Sequence, residues 1–254
     1  RMPSGSKTVM PVSLDAITEQ VTHSWYADST NNLQPSSGST VPQYPKSNAY
    51  SWLKAPRYEG KSYEVGPLAR MRVNGDYAGG SISVMDRHLA RADGALKVAE
   101  AMRAWVGQLK AGQAVATPSP VPSSAASYGL TEAPRGALGH WLKIANGKIA
   151  SYQVVTPTCW NASPMDSLGQ HGPIEEALIG TPVKDMNEPV EVLRVIHSFD
   201  PCLSCAVHVM RPAEGAKVYR LGHFQGEEGV PPHRHGDEPG QARPEPVKKA
   251  SPVA

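Results

Sequence analysis

A chain of 254 residues with 40% hydrophobic side chains is long enough for one large domain or two small ones with a real core, to which only two phenylalanines, Phe199 and Phe224, contribute. Its 25 basic and 23 acidic residues leave a net charge of +2, so the balance calls for neither a nucleic-acid nor an anionic-membrane partner. No apolar run approaches the ~20 residues that span a bilayer, and three cysteines make no disulfide framework, which leaves metal ligation or redox work for the close pair among them.

In chain order, Ser13 heads Leu14 to Val21, which is expected to open a short helix. Residues 30–50, rich in Asn, Ser, Pro and Gly, lack periodicity and read as a long surface loop. Residues 50–58 resume an apolar and aromatic pattern, expected as an irregular packed segment closed by Gly60. Over 84–110, Leu89, Ala92, Leu96, Ala99, Met102, Val106 and Leu109 recur at spacings of three and four. That spacing predicts a helix whose apolar face is core, with Arg87, Arg91, Lys97, Glu100 and Arg103 mostly on other faces. Residues 111–128, small, polar and carrying Pro118, Pro120 and Pro122, suit an extended connector. Next, Trp141–Ile144 and Ile149–Val155 flank Asn146-Gly147, a strong hairpin signal. Pro173–Ile179 is expected as a short helix. Asn187-Glu188-Pro189 starts another that Asp200-Pro201 ends with a sharp turn. The expected class is α+β, mainly helical with β-hairpins.

The segment that dictates chemistry is Asp200-Pro201-Cys202-Leu203-Ser204-Cys205-Ala206-Val207-His208, two thiols and an imidazole on a constrained turn. A structural zinc site needs four closed ligands. Cys159 stands alone here, so the set would have to be completed from His208 with His223, or His233 with His235. A thiol-disulfide oxidoreductase places its pair at the start of a helix, whereas this pair follows one. A redox-active transition-metal centre suits soft thiolates, with further ligands coming from another segment or chain.

On this last reading Ile196 to His208 resembles the carboxy-terminal signature of nickel-iron hydrogenase large subunits. Four further stretches resemble that family in its order: Val21–Tyr26; Ser51–Tyr58 with Glu64–Arg70; Glu132–Trp141; and Pro157–Pro164. The resemblance implies a partial large-subunit fold and reversible oxidation of dihydrogen to protons and electrons. The implied cofactors are nickel, iron carrying carbonyl and cyanide, and magnesium. Cys202 resembles the terminal nickel ligand and Cys205 the ligand shared by nickel and iron. His208 resembles a magnesium ligand, matched by the backbone carbonyl of Val154. Arg135 matches an arginine over the open side of the metals, with Asp200 its acidic neighbour and Pro134 part of the pocket wall. Pro157 and Thr158 form the surroundings of a cyanide, to which the threonine hydroxyl can donate.

Taken singly, these residues have plainer readings. Arg135 would be a surface ion-pair residue worth about 0–1 kcal/mol, Asp200 a turn residue, and Cys159, where the family more often has a hydroxyl, a buried small side chain. His23, His88, His140, His171 and His197 read as structural histidines. Met165 stands where the family usually has an arginine. No Cys-x-x-Cys lies upstream of Cys159 to supply the family's other two thiolates. The chain is therefore expected to be the carboxy-terminal part of a large subunit, a fragment or an unprocessed precursor, inactive without its amino-terminal half. A zinc-binding module is the further alternative.

The implied partners are an iron-sulfur small subunit in a heterodimer, a maturation protease cutting after His208 and a membrane cytochrome b. The implied place is the periplasmic face of the cell membrane, reached by export with the small subunit, with the cytoplasm as the alternative. The expected organisation is residues 1–208 as the large-subunit part and 209–254 as a flexible tail with seven prolines and six glycines.

Overall fold

Two antiparallel sheets and five helices follow one another in the computed structural model, which describes residues 9–77, 79, 82–114 and 116–202. The expected 209–254 tail lies outside the described residues. Leu14–Ala16 makes a single 3-10 turn, and strand β1 (Ile17–Gln20) pairs with β2 (Ala55–Tyr58) in the register Ile17 to Tyr58. The helix expected over Leu14 to Val21 is thus corrected to a strand, and the irregular 50–58 segment contributes its partner. Both changes have one cause. Ile17, Ala55 and Tyr58 are buried, and the ladder across them satisfies backbone that a lone helical turn would leave open. The 30–50 loop is largely irregular, as expected, with one short 3-10 turn at Asp28–Thr30 leading into it and another at Pro35–Ser37.

Helix α1 (Pro67–Val73) starts on proline after Gly66, and α2 (Val84–Val106) starts on Ser83, whose hydroxyl accepts the Asp86 amide. The helix expected over 84–110 is present, but its apolar stripe is not core. Leu96, Met102 and Leu109 are 61%, 54% and 78% exposed, whereas Asp86, Arg87 and Ala90 are buried. The first turns of α2 are the part that meets other elements of this chain.

Strands β3 (Ser124–Ala133), β4 (Gly136–Ala145) and β5 (Lys148–Val155) form a meander. The Asn146-Gly147 turn joins β4 to β5 with φ values of +53° and +69°, both in the left-handed region that this dipeptide tolerates. The connector is shorter than expected, because Ser124–Tyr128 pair with Trp141–Ala145. Small residues hide that strand in the sequence, and β4 supplies its order. Three short helices follow among the described residues: α3 (Pro157–Asn161), α4 (Pro173–Leu178) and α5 (Val190–Ser198).

The core falls into three clusters: Ile17, Tyr58, Trp141, Val155 and Trp160 join the two sheets to α3; Leu68, Met71 and Ala90 join α1 to α2; and Ile174, Val195 and Phe199 join α4 to α5. A fully buried ion pair fastens β2 to the loop after α3. Arg57 Nε donates to Asp166 at 2.7 Å, and the rest of its guanidinium donates to Ser163 Oγ and to the carbonyls of Pro56, Pro164 and Gln170. At the unusual Met165, the backbone amide donates to Tyr50 Oη at 2.7 Å; that hydroxyl donates to Glu175, and burial first of all pushes its pKa up to about 12.

Candidate functional site

The site grows from the end of α5. Phe199 caps the helix, and Asp200 turns the chain at φ +50° before Pro201 forbids continuation. This turn presents the backbone of Asp200 and Cys202 to two other elements. The Asp200 carbonyl accepts a hydrogen bond from Arg135 Nε at 2.8 Å, and its carboxylate lies 3.3 Å from the same guanidinium. The Cys202 amide donates to Thr158 Oγ1 at 3.1 Å. Thr158 is buried in α3, and a hydroxyl that accepts from an amide still has its own proton to give.

Arg135 stands at the tip of the β3–β4 hairpin, in the two-residue turn Pro134-Arg135. Two features hold that tip. Gly136 takes φ +131° and packs so closely on Gly66 that a Cβ would lie 2.6 Å from the Gly66 nitrogen. Arg70 of α1 donates to Glu132 at 2.9 Å and to the Ala133 carbonyl at 3.2 Å. Burial raises the Glu132 carboxyl pKa, against the lowering effect of Arg70.

Four of the predicted site residues, Arg135, Asp200, Thr158 and Cys202, therefore meet at one turn, with Pro134 beside Arg135 and buried Pro157 beside Thr158. Val154 lies one residue from the end of β5, opposite His140, in the strand that leads into α3. Cys205 and His208 lie outside the described residues, and so does the magnesium pairing of His208 with Val154. Among the described residues, no group of three or more His, Cys, Asp or Glu gathers as a metal-ligand set. The donor chemistry fits one side of a soft-metal centre: a half-buried thiol on a turn whose backbone is held by the Arg135 guanidinium and the Thr158 hydroxyl. Cys159 is set apart from this role. It is partly rather than fully buried, packed against the first core cluster; burial raises its thiol pKa, while the Thr156 hydroxyl bonds its sulfur at 3.1 Å, so it stays a small neutral side chain.

The residues that sequence reasoning missed are Glu64, Arg87, Arg91 and Ser198, which join α2 to the end of α5. Arginines on a long helix read as a solvated face, and no local signal marks them otherwise.

Comparison with known proteins places the chain beside one family. A family described as nickel-dependent hydrogenase matches residues 2–82 and 78–208. The periplasmic [NiFeSe] hydrogenase large subunit of Desulfomicrobium baculatum is 43% identical over 223 residues, covering 78% of this chain and 43% of that protein. The uptake hydrogenase large subunit of Azotobacter chroococcum mcd 1 is 37% identical over 270 residues, 84% of this chain and 45% of its own. The solved Ni-Fe-Se hydrogenase of D. vulgaris Hildenborough in the reduced state superposes with a TM-score of 0.73 at 44% identity, over 78% of this chain and 46% of that one. The chain thus spans less than half the length of these relatives.

Proposed function

We propose that this chain, which belongs to the nickel-dependent hydrogenase family, supplies part of the catalytic large subunit of an enzyme that reversibly oxidises dihydrogen to protons and electrons at a nickel-iron centre. The observation that carries the reading is the convergence of Arg135, Asp200 and Thr158 on the Cys202 turn. When bound, the two metals supply the Lewis acidity and electron capacity for heterolytic cleavage of dihydrogen.

The chain's own residues then have separable tasks. Cys202 and Cys205 would hold nickel as thiolates, Cys205 serving iron as well, and the remaining ligands would come from the polypeptide corresponding to the rest of the relatives' length. Arg135 keeps a fixed positive charge over the open side, and Asp200 fixes the plane of its guanidinium through both backbone and carboxylate. Thr158 anchors the Cys202 amide and keeps its hydroxyl proton for a cyanide on iron, while Pro134 and Pro157 exclude water. His208 and the Val154 carbonyl would hold magnesium, an ion that favours oxygen donors such as that carbonyl and keeps bound water. An iron-sulfur small subunit takes the electrons, a maturation protease cuts after His208, and the complex works at the periplasmic face of the membrane, joined to a cytochrome b.

Co-expression with a polypeptide corresponding to the rest of a large subunit, followed by nickel analysis and mass spectrometry of the carboxyl terminus, tests the reading. Nickel retained together with cleavage after His208 supports it. An intact tail without nickel in every combination sinks it and leaves the incompetent precursor, whereas about one zinc per chain that survives dialysis assigns the zinc module.

A further inference from the structure

We propose that Arg91 and Arg87 of α2 are positioning residues for the Cys202 turn, clamping the end of α5 so that Asp200 and Cys202 meet Arg135 and Thr158. The clamp stands on its own geometry, and its consequence for nickel rests on the function proposed above. Arg91 Nη2 donates to the Ser198 carbonyl at 2.7 Å, one of the last carbonyls that a helix leaves unpaired. Arg87, one helical turn earlier on the same face, sits over the Phe199 ring at 3.8 Å and places Nη1 3.5 Å from Ser198 Oγ. Two guanidinium charges therefore meet the negative end of α5.

The clamp reaches the other side of the turn as well. Arg87 is held by Glu64 through two bonds of 2.8 Å, and Glu64 lies two residues before Gly66, the residue packed under the Arg135 tip. Ser198 is fully buried and Arg87 nearly so, which makes the contact stiff. Asp200 and Cys202 follow Ser198 by two and four residues. A displacement of the helix end is therefore passed to both with no flexible segment between.

The test measures alkylation of Cys202 and hydrogen exchange of its amide in the full metal-free chain, assigned to that residue by tandem mass spectrometry. Arg91→Ala is expected to raise both by about tenfold, and Arg91→Lys, which keeps a donor, to return them to within about twofold of wild type. Thr158→Val, which removes the acceptor directly, gives the scale of full release. Cys159 should stay protected throughout. Wild-type rates at Cys202 in Arg91→Ala, with release in Thr158→Val, overturn the proposal. A parallel rise at Cys159 also overturns it, because the effect is then general loosening. Nickel retention is measured separately in the co-expressed assembly. If wild type retains none, the proposed function falls and the clamp stands; if wild type retains it, a several-fold loss in Arg91→Ala supports the clamp and an unchanged content counts against it.

Discussion

Arg57 spends all five of its N–H donors on Asp166, Ser163 and three backbone carbonyls, so the charge is buried without an idle proton. Such a pair is costly to break from one side. Asp166→Asn leaves the guanidinium buried and uncompensated and should cost about 3–5 kcal/mol in urea unfolding. Burial raises the Asp166 carboxyl pKa, but the Arg57 guanidinium and the Gln170 and Leu168 amides outweigh it and hold it below the usual 3.8. A depressed folded value means stabilisation that is present above the unfolded pKa and lost as pH falls through the folded one. Wild type should therefore lose stability in acid from about pH 4 downward, and Asp166→Asn should lack that part of the decline; equal acid slopes in the two proteins would contradict this. Cys159 yields a second residue-scale expectation. With its pKa raised by burial, it should resist iodoacetamide in the native chain at pH 8 and react on unfolding, and native labelling at the unfolded rate would refute the assignment.

At the scale of elements, the β3–β4 hairpin delivers Arg135 only because two backbones touch at Gly136 and Gly66. Gly136→Ala puts a Cβ 2.6 Å from backbone nitrogen at a φ of +131°, a strain of about 1–3 kcal/mol before any clash is counted. The variant should unfold earlier in urea and loosen the Asp200 turn, seen as faster exchange of the Cys202 amide; an unchanged turn would mean that the tip is not held there. What the sequence reveals of these elements depends on how local their causes are. Asn146-Gly147 and Asp200-Pro201 announce their turns because the required φ values belong to the residues themselves. Four-residue β1 and β2 are ordered by each other and by the bond from the buried Arg57 of β2 to Asp166, a partner that no window of either segment contains. The extent of α2 is likewise legible in its spacing, while its orientation is set by α1 and α5. Its apolar positions consequently face away from this chain's core, and Arg87, placed by periodicity outside the core, is buried.

The site divides the same way across the whole molecule. Arg135, Thr158, Asp200 and Cys202 are legible through the order of motifs that resembles the hydrogenase family, whereas Glu64, Arg87 and Arg91 act through distant partners and leave no pattern. The long exposed stripe of α2 belongs with this larger scale. Leu89, Leu96, Met102 and Val106 together leave a broad apolar flank of the helix exposed, of a kind that soluble monomers rarely leave open. Relatives are more than twice as long as the segment matched here, so the occupant consistent with the proposed function is the polypeptide corresponding to the rest of the large subunit. Leu96→Glu combined with Met102→Glu separates packing within this chain from packing against that partner. Because both side chains are exposed, unfolding of the isolated chain should change by no more than about 0.5 kcal/mol per site. Co-purification with the co-expressed partner segment should fall by tenfold or more, since two buried charges without counter-ions would stand in the interface. Undiminished co-purification would show that the partner binds elsewhere, and a large loss of stability in the isolated chain would show that α2 already packs within it.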